Sequence, residues 1–282
     1  MRRVNPIKIV AIVLLVSMML HAGFLMNRDH LRAVLANYGL LGRALLANFI
    51  AVPLYGVVVV RLFHLSDPIA TGVLLMAISP GVPFLVVSAG RAKGGSLGFA
   101  VALAFLMPAI SVVTVPITAL LVLPGSHISA TSLVVTLVAF QLIPLLLGML
   151  VNDRAPEVAS RLERPVGIVV LIALVVLLAL LGPLIVRSVS TVYGTFGILA
   201  MLTIVILSLL TGWALGGPER AYRRTLSIGT ALRNIGLAAV VASTTFEGSV
   251  SAAVLTYLVV QVVLTGVVGA YFRRTAVVSE AV

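Results

Sequence analysis

Residues Arg224–Phe246 read RTLSIGTALRNIGLAAVVASTTF, a run long enough to cross a bilayer that carries Arg233 and Asn234 at its middle, between Gly229 and Gly236. A membrane helix needs about 20 apolar residues at about 1.5 Å rise each. Arg233 therefore falls near the depth where a charge costs about 2.5–3.5 kcal/mol on insertion scales. Of the 19 Lys and Arg residues, it alone lies neither in nor beside an expected loop. An ionisable residue so placed marks a functional site.

The rest of the chain explains why this stretch is read in lipid. With 61% hydrophobic and 10% charged residues and a mean hydropathy of +1.23, the 282 residues cannot coat a water-soluble globule. Apolar runs recur from end to end with no Ser/Gly-rich or charged linker between them, so residues 1–282 form one transmembrane domain of the all-α class. The net charge of +11 is scattered through short loops without interleaved aromatics, which excludes a nucleic-acid partner and suits topology signals. Zero cysteines exclude disulfides and thiol chemistry.

Nine hydrophobic segments are expected, at roughly 6–26, 42–63, 67–90, 95–123, 128–151, 165–186, 192–215, 225–246 and 249–272. The first has a basic flank like a signal peptide, but Leu20-His21-Ala22-Gly23 is a poor cleavage site, so an uncleaved span is expected. On the amino-terminal face stand Arg2, Arg3, Lys8, Arg61 and Arg187, five against thirteen on the other face. The positive-inside rule then sets the amino terminus outside and the carboxyl terminus in the cytoplasm, with the plasma membrane as location. The mixed-sign stretch Asn152–Arg164 reads as a solvated linker between halves.

Two segments look broken. The third contains Ser79-Pro80-Gly81-Val82-Pro83, where two prolines remove two backbone donors and push their preceding residues out of helical geometry. Pro83 suits the first turn of a new half-helix, and in the eighth segment Asn234 suits the cap of another, Leu237–Thr245. Lone prolines at 53, 108, 116 and 144 read as kinks. Freed backbone groups at such depth are tolerated only against protein or a watery cavity. The breaks occupy equivalent places in two five-helix repeats, 6–123 (lacking its first helix) and 128–272, inserted in opposite orientations. Paired interruptions of this kind point to a midplane transport site.

The segment order, the Pro80-Gly81 break and the Ser227-Ile228 … Asn234-x-Gly236-Leu237-Ala238 stretch resemble the bile acid:sodium symporter family over essentially the whole chain. The resemblance implies a panel domain and a core domain, the two broken helices crossing in the core, and substrate passing between the domains. It also implies sodium as coupling ion, but the sodium-ligand positions are not matched. Gly229 stands where members carry Glu, Arg233 where they carry Gln, and only Asn234 matches. After Pro80-Gly81 the chain has Val82-Pro83-Phe84-Leu85-Val86 in place of a small-polar run.

Arg233 is accordingly read as standing in for the bound cation. All eight acidic residues fall in or beside loops, leaving carbonyls, Asn48, Gln141 or a substrate anion as its partners. A pin bonded only to carbonyls and a direct anion contact both remain open. His21 reads as a substrate contact or a carbonyl-bonded histidine, and Gln141, mid-span with Pro144 close behind, as the most interesting of the other polar residues. The candidate substrate-binding set is Arg233, Asn234, Pro80, Gly81, Pro83, Gly229, Gln141, Asn48 and His21, with no metal ligand and no cofactor. No nucleophile elbow, zinc motif, Walker loop or dinucleotide fingerprint occurs, so an enzyme is not expected. The expected function is a secondary transporter of a small or amphipathic organic anion working by alternating access. The alternatives are a proton-linked or uniport carrier of the auxin-efflux type and a non-transporting sensor with the same fold.

Overall fold

The structure is a computed structural model and describes residues 6–81, 94–123, 129–193, 196–246 and 248–280. Among these it is helical without a strand, and seven helices are long and apolar enough to cross a membrane. They are α1 (Pro6–Phe24), α3 (Tyr38–Leu62), α5 (Leu97–Val122), α6 (Ala130–Arg154), α7 (Pro156–Tyr193), α8 (Gly197–Leu215) and α11 (Gly248–Glu280). Between them lie α2 (Arg28–Ala36), α4 (Asp67–Ile78), α9 (Arg220–Ala231) and α10 (Ile235–Thr245).

The apolar helices α4 and α10, of 12 and 11 residues, rise only about 18 and 17 Å against a hydrocarbon core of about 30 Å. Each stops part-way. The expected second half of the third segment, with Pro83 and Ser88, lies outside the described residues.

α1 packs along α6 and α7, and its small residues set the distance. Gly23 and Gly148 stand so close that a Cβ on Gly148 would meet the Leu20 carbonyl at 2.5 Å. α10 lies between α1 and α11, with Gly236 against Leu15. α4 is gripped by α3 through Gly56 and Ala77, and by α11 through Gly72 and Ala253. A second, smaller apolar cluster around Leu40, Phe99, Leu103, Leu226 and Phe272 ties α3, α5, α9 and α11 near the basic ends.

Two expectations need correction. Asn152–Arg164 is largely exposed, as expected, but it is not a loop: it is helical except at Ala155, where φ −144° and ψ 66° break the rod. Pro156 forces its predecessor out of the helical region yet fits the first turn of α7, so the reversal takes a single residue. Pro53 and Pro144 are more than kinks. Each follows a π-helical turn, Ala47–Ala51 in α3 and Val138–Leu142 in α6. A proline cannot donate to the carbonyl four residues back, and the chain widens there by one residue. Asn48 and Gln141 sit on those two widened turns.

Candidate functional site

α4 ends at Ile78 and α9 at Ala231, and the extended residues that follow cross each other antiparallel. Pro80 and Arg233 pair as a lone bridge, and the Asn234 N–H donates to the Ser79 carbonyl at 2.9 Å. Gly81 is required here by the close approach of the two chains, since a Cβ would stand 3.0 Å from Asn234 Cβ. The Arg233 backbone, with no helical partner, is taken by Gln261 on α11. Its N–H donates to Gln261 Oε1 at 2.9 Å, and Gln261 Nε2 donates back to its carbonyl at 3.3 Å.

The Arg233 side chain is 1% exposed, the largest among the fully buried side chains. Nε donates to the Met76 carbonyl at 3.2 Å, and Nη2 donates to the carbonyls of Ala77 and, at 3.2 Å, Asn48. Nη1 donates to Asn48 Oδ1 at 3.0 Å. Four of the five guanidinium N–H groups are thus held by protein oxygens, and no carboxylate pairs with Arg233 among the described residues. Met76 and Ala77 are in the last turn of α4, at the negative end of the helix dipole, and the Met76 carbonyl also accepts from the Ser79 N–H at 3.1 Å. The guanidinium caps that end and meets its charge.

The next residue does the reverse. Asn234 Oδ1 accepts from the Leu237 N–H at 3.1 Å, capping the positive start of α10. Its Nδ2 donates to Gln141 Oε1 at 3.4 Å, while Gln141 Nε2 donates to the Pro108 carbonyl at 2.8 Å and Ser111 Oγ at 2.7 Å. Each side chain of the Arg233-Asn234 pair is therefore held by an amide from a π-helical turn, Asn48 on α3 for the first and Gln141 on α6 for the second. Asn48 is fixed in turn by its Nδ2, which donates to the Ala44 carbonyl at 2.9 Å.

Of the residues read from the sequence, the structure brings together Arg233, Asn234, Pro80, Gly81, Asn48 and Gln141. Gly229 is buried in the last turn of α9, just before the crossing. His21 does not join them. It lies at the end of α1 against Gly167 of α7, with Nδ1 lacking a partner among the described residues. Pro83 is outside the described residues. Two participants were missed. Gln261 reads in the sequence as helix glue, and its spacing gives no sign that it replaces a strand partner. Tyr257, one turn before it, is fully buried with a hydroxyl unpartnered among the described residues.

Two crevices open beside the half-helices. One of about 1030 Å³ is lined by Arg61, His64, Asp67, Thr71, Leu74 and Phe246. The other, about 300 Å³, runs between α6 and α10 and presents the hydroxyls of Ser129, Ser132, Thr136, Thr244 and Thr245. Leu74 is three residues short of the Ala77 carbonyl that Arg233 holds. The crossing places a buried guanidinium, held by neutral oxygens, where α4 ends and α10 begins.

Residues 12–192 match the sequence profile of the Sodium Bile acid symporter family. The match supports a multi-pass membrane transporter. No curated protein matches the chain.

Proposed function

Because this chain belongs to the Sodium Bile acid symporter family, we propose that it is a secondary transporter that moves a small or amphipathic organic anion by alternating access, with the Arg233 guanidinium in place of a coupling cation. The observation that carries this is the guanidinium's setting, with three carbonyls and the Asn48 amide oxygen around it. Oxygens of this kind suit a hard monovalent cation. A tethered cation holds the crossing together without an ion gradient, and its charge favours an anion between α10 and its neighbours. With four donors already used, Arg233 acts on that anion through its field while the crossing stays closed.

In this reading α4 and the α9–α10 pair belong to the interrupted third and eighth of nine spans, arranged as two inverted repeats. The chain sits in the plasma membrane with its amino terminus outside. The hydroxyl-lined crevice between α6 and α10 is one way in.

Proteoliposome uptake and counterflow of radiolabelled organic anions, in sodium or potassium, test the proposal. Anion flux equal in the two salts is expected. Sodium-stimulated flux would overturn the tethered-cation reading. Saturable binding without flux or counterflow would instead mean a sensor on the same fold.

A further inference from the structure

The start of α9 inverts the usual charge order of a helix. Its N-cap residue Glu219 makes no capping bond, and its first turn holds Arg220 and Arg223, followed by Arg224, with no acidic residue. Cations at a helix N-terminus add to the positive end of the dipole instead of offsetting it. More positive charge converges from α3. An ideal Cβ on Gly217 would stand 3.1 Å from Arg43 Nη2, and the Gly217 carbonyl accepts from Arg223 Nε. Gly217 has φ +85°, so the chain can turn tightly between the two guanidinium groups.

Beside them Arg224 is only 8% exposed, lies 5.7 Å over the Phe272 ring and donates to Thr275 Oγ1 at 3.2 Å. Its buried Nε has no partner among the described residues. Arg273 and Arg274 follow on α11, both exposed. The ion pairs among the described residues, Arg28–Asp153 and Arg32–Asp29, use none of these side chains. Among the described side chains, a helix end and six guanidinium groups thus have one carboxylate near them, Glu219, and it pairs with none of them.

The level of this cluster is that of a headgroup layer, because α3, α5 and α9 all begin here and the apolar spans end. Next to it is a notch of about 200 Å³ lined by Val34, Leu40, Phe99, Asn37, Ser96 and Tyr222. We propose that this corner binds a phosphate-bearing anion, with the phosphate between Arg43 and Arg223 and the notch taking the glycerol and first acyl carbons when the anion is a phospholipid. Guanidinium groups suit phosphate by their fork of donors. No described carboxylate neutralises the cluster, and the phosphate supplies that charge.

Purified protein in nanodiscs of phosphatidylcholine, with or without phosphatidylglycerol, tests this by melting temperature and by lipid retention in native mass spectrometry. Phosphatidylglycerol is expected to be retained and to raise the melting temperature. Arg43→Gln and Arg223→Gln should each weaken retention roughly fivefold, equivalent to about 1 kcal/mol, while Arg161→Gln, exposed on the same basic face, leaves it unchanged. Adding inorganic phosphate to phosphatidylcholine nanodiscs separates the sources. Stabilisation by phosphate as well assigns the site to the phosphate group, and stabilisation by the lipid alone assigns it to the headgroup. Equal melting in all three media would overturn the proposal, as would an equal loss with Arg161→Gln. Should Arg223→Gln fail to fold, Arg43→Gln keeps the test open, since among the described residues Arg43 bonds the Gly39 carbonyl of its own helix and no other group.

Discussion

Arg233 and Asn48, 185 residues apart, meet through two hydrogen bonds, Nη1 to Oδ1 at 3.0 Å and Nη2 to the main-chain oxygen at 3.2 Å. An uncharged residue on a widened helical turn thus holds a buried cation. The charge itself is answered by the carbonyl end of α4. A site built this way keeps its net positive charge, which an ion pair would cancel.

Asn48→Asp tests that charge. The carboxylate reproduces the Oδ1 acceptor and neutralises the guanidinium, so folding should persist while anion uptake falls tenfold or more. Uptake at the parental rate in proteoliposomes would show that the charge at the crossing does not serve the substrate.

Asn48→Ala removes the acceptor and strands a charged donor. Hydrogen bonds to charged groups contribute about 1.5–3 kcal/mol, and a fall in melting temperature of several degrees is expected in detergent. Arg233→Gln reports the balance of roles. Normal folding with lost uptake favours service to the anion, and lost expression favours the pin.

Gln141→Leu cuts the links from α6 to Pro108, Ser111 and Asn234 together. Asn234 keeps its bond to Leu237, so α10 should stay capped and the loss should be about 1–3 kcal/mol of stability, read by thermal unfolding.

Gly148→Leu should prevent accumulation of folded protein. A Cβ alone would press on the Leu20 carbonyl at 2.5 Å, and overpacking at a helix contact costs about 1–3 kcal/mol or more. Gly98→Ala, where nothing stands within 4 Å, is the matched control. Size-exclusion profiles of the two variants make the comparison.

Sodium and potassium should leave the melting temperature of the parental protein the same. A ligand at 100 times its dissociation constant stabilises by about 2.7 kcal/mol, so an occupied sodium site would show as a sodium-specific rise.

Much of the crossing was legible in the chain. Asn234 reads as a cap from its place before Ile235-Gly236-Leu237, and it is one. Arg233 reads as leaning on carbonyls or an amide, and the structure gives it three carbonyls and the Asn48 amide oxygen. Asn48 and Gln141 were candidate partners for Arg233 because few polar side chains fall mid-span; Asn48 takes it, whereas Gln141 bonds its neighbour Asn234. Their π-helical turns were not read, although Pro53 and Pro144 mark both. A proline announces a missing donor, not how the neighbouring turn relaxes.

Hydrophobicity is local and close to additive along a chain, so the sequence by itself determined that this is a helical membrane protein, and its prolines and polar pair marked Pro80-Gly81, past the end of α4, and Arg233-Asn234, between α9 and α10. The partners are another matter. Lipid offers no hydrogen bonds, so every freed donor and acceptor takes what the packing brings within about 3 Å. Only the tertiary structure decided that the guanidinium closes the end of α4, that Gln261 completes its backbone and that His21 stays with α7, because those choices depend on which remote turns the helices place side by side.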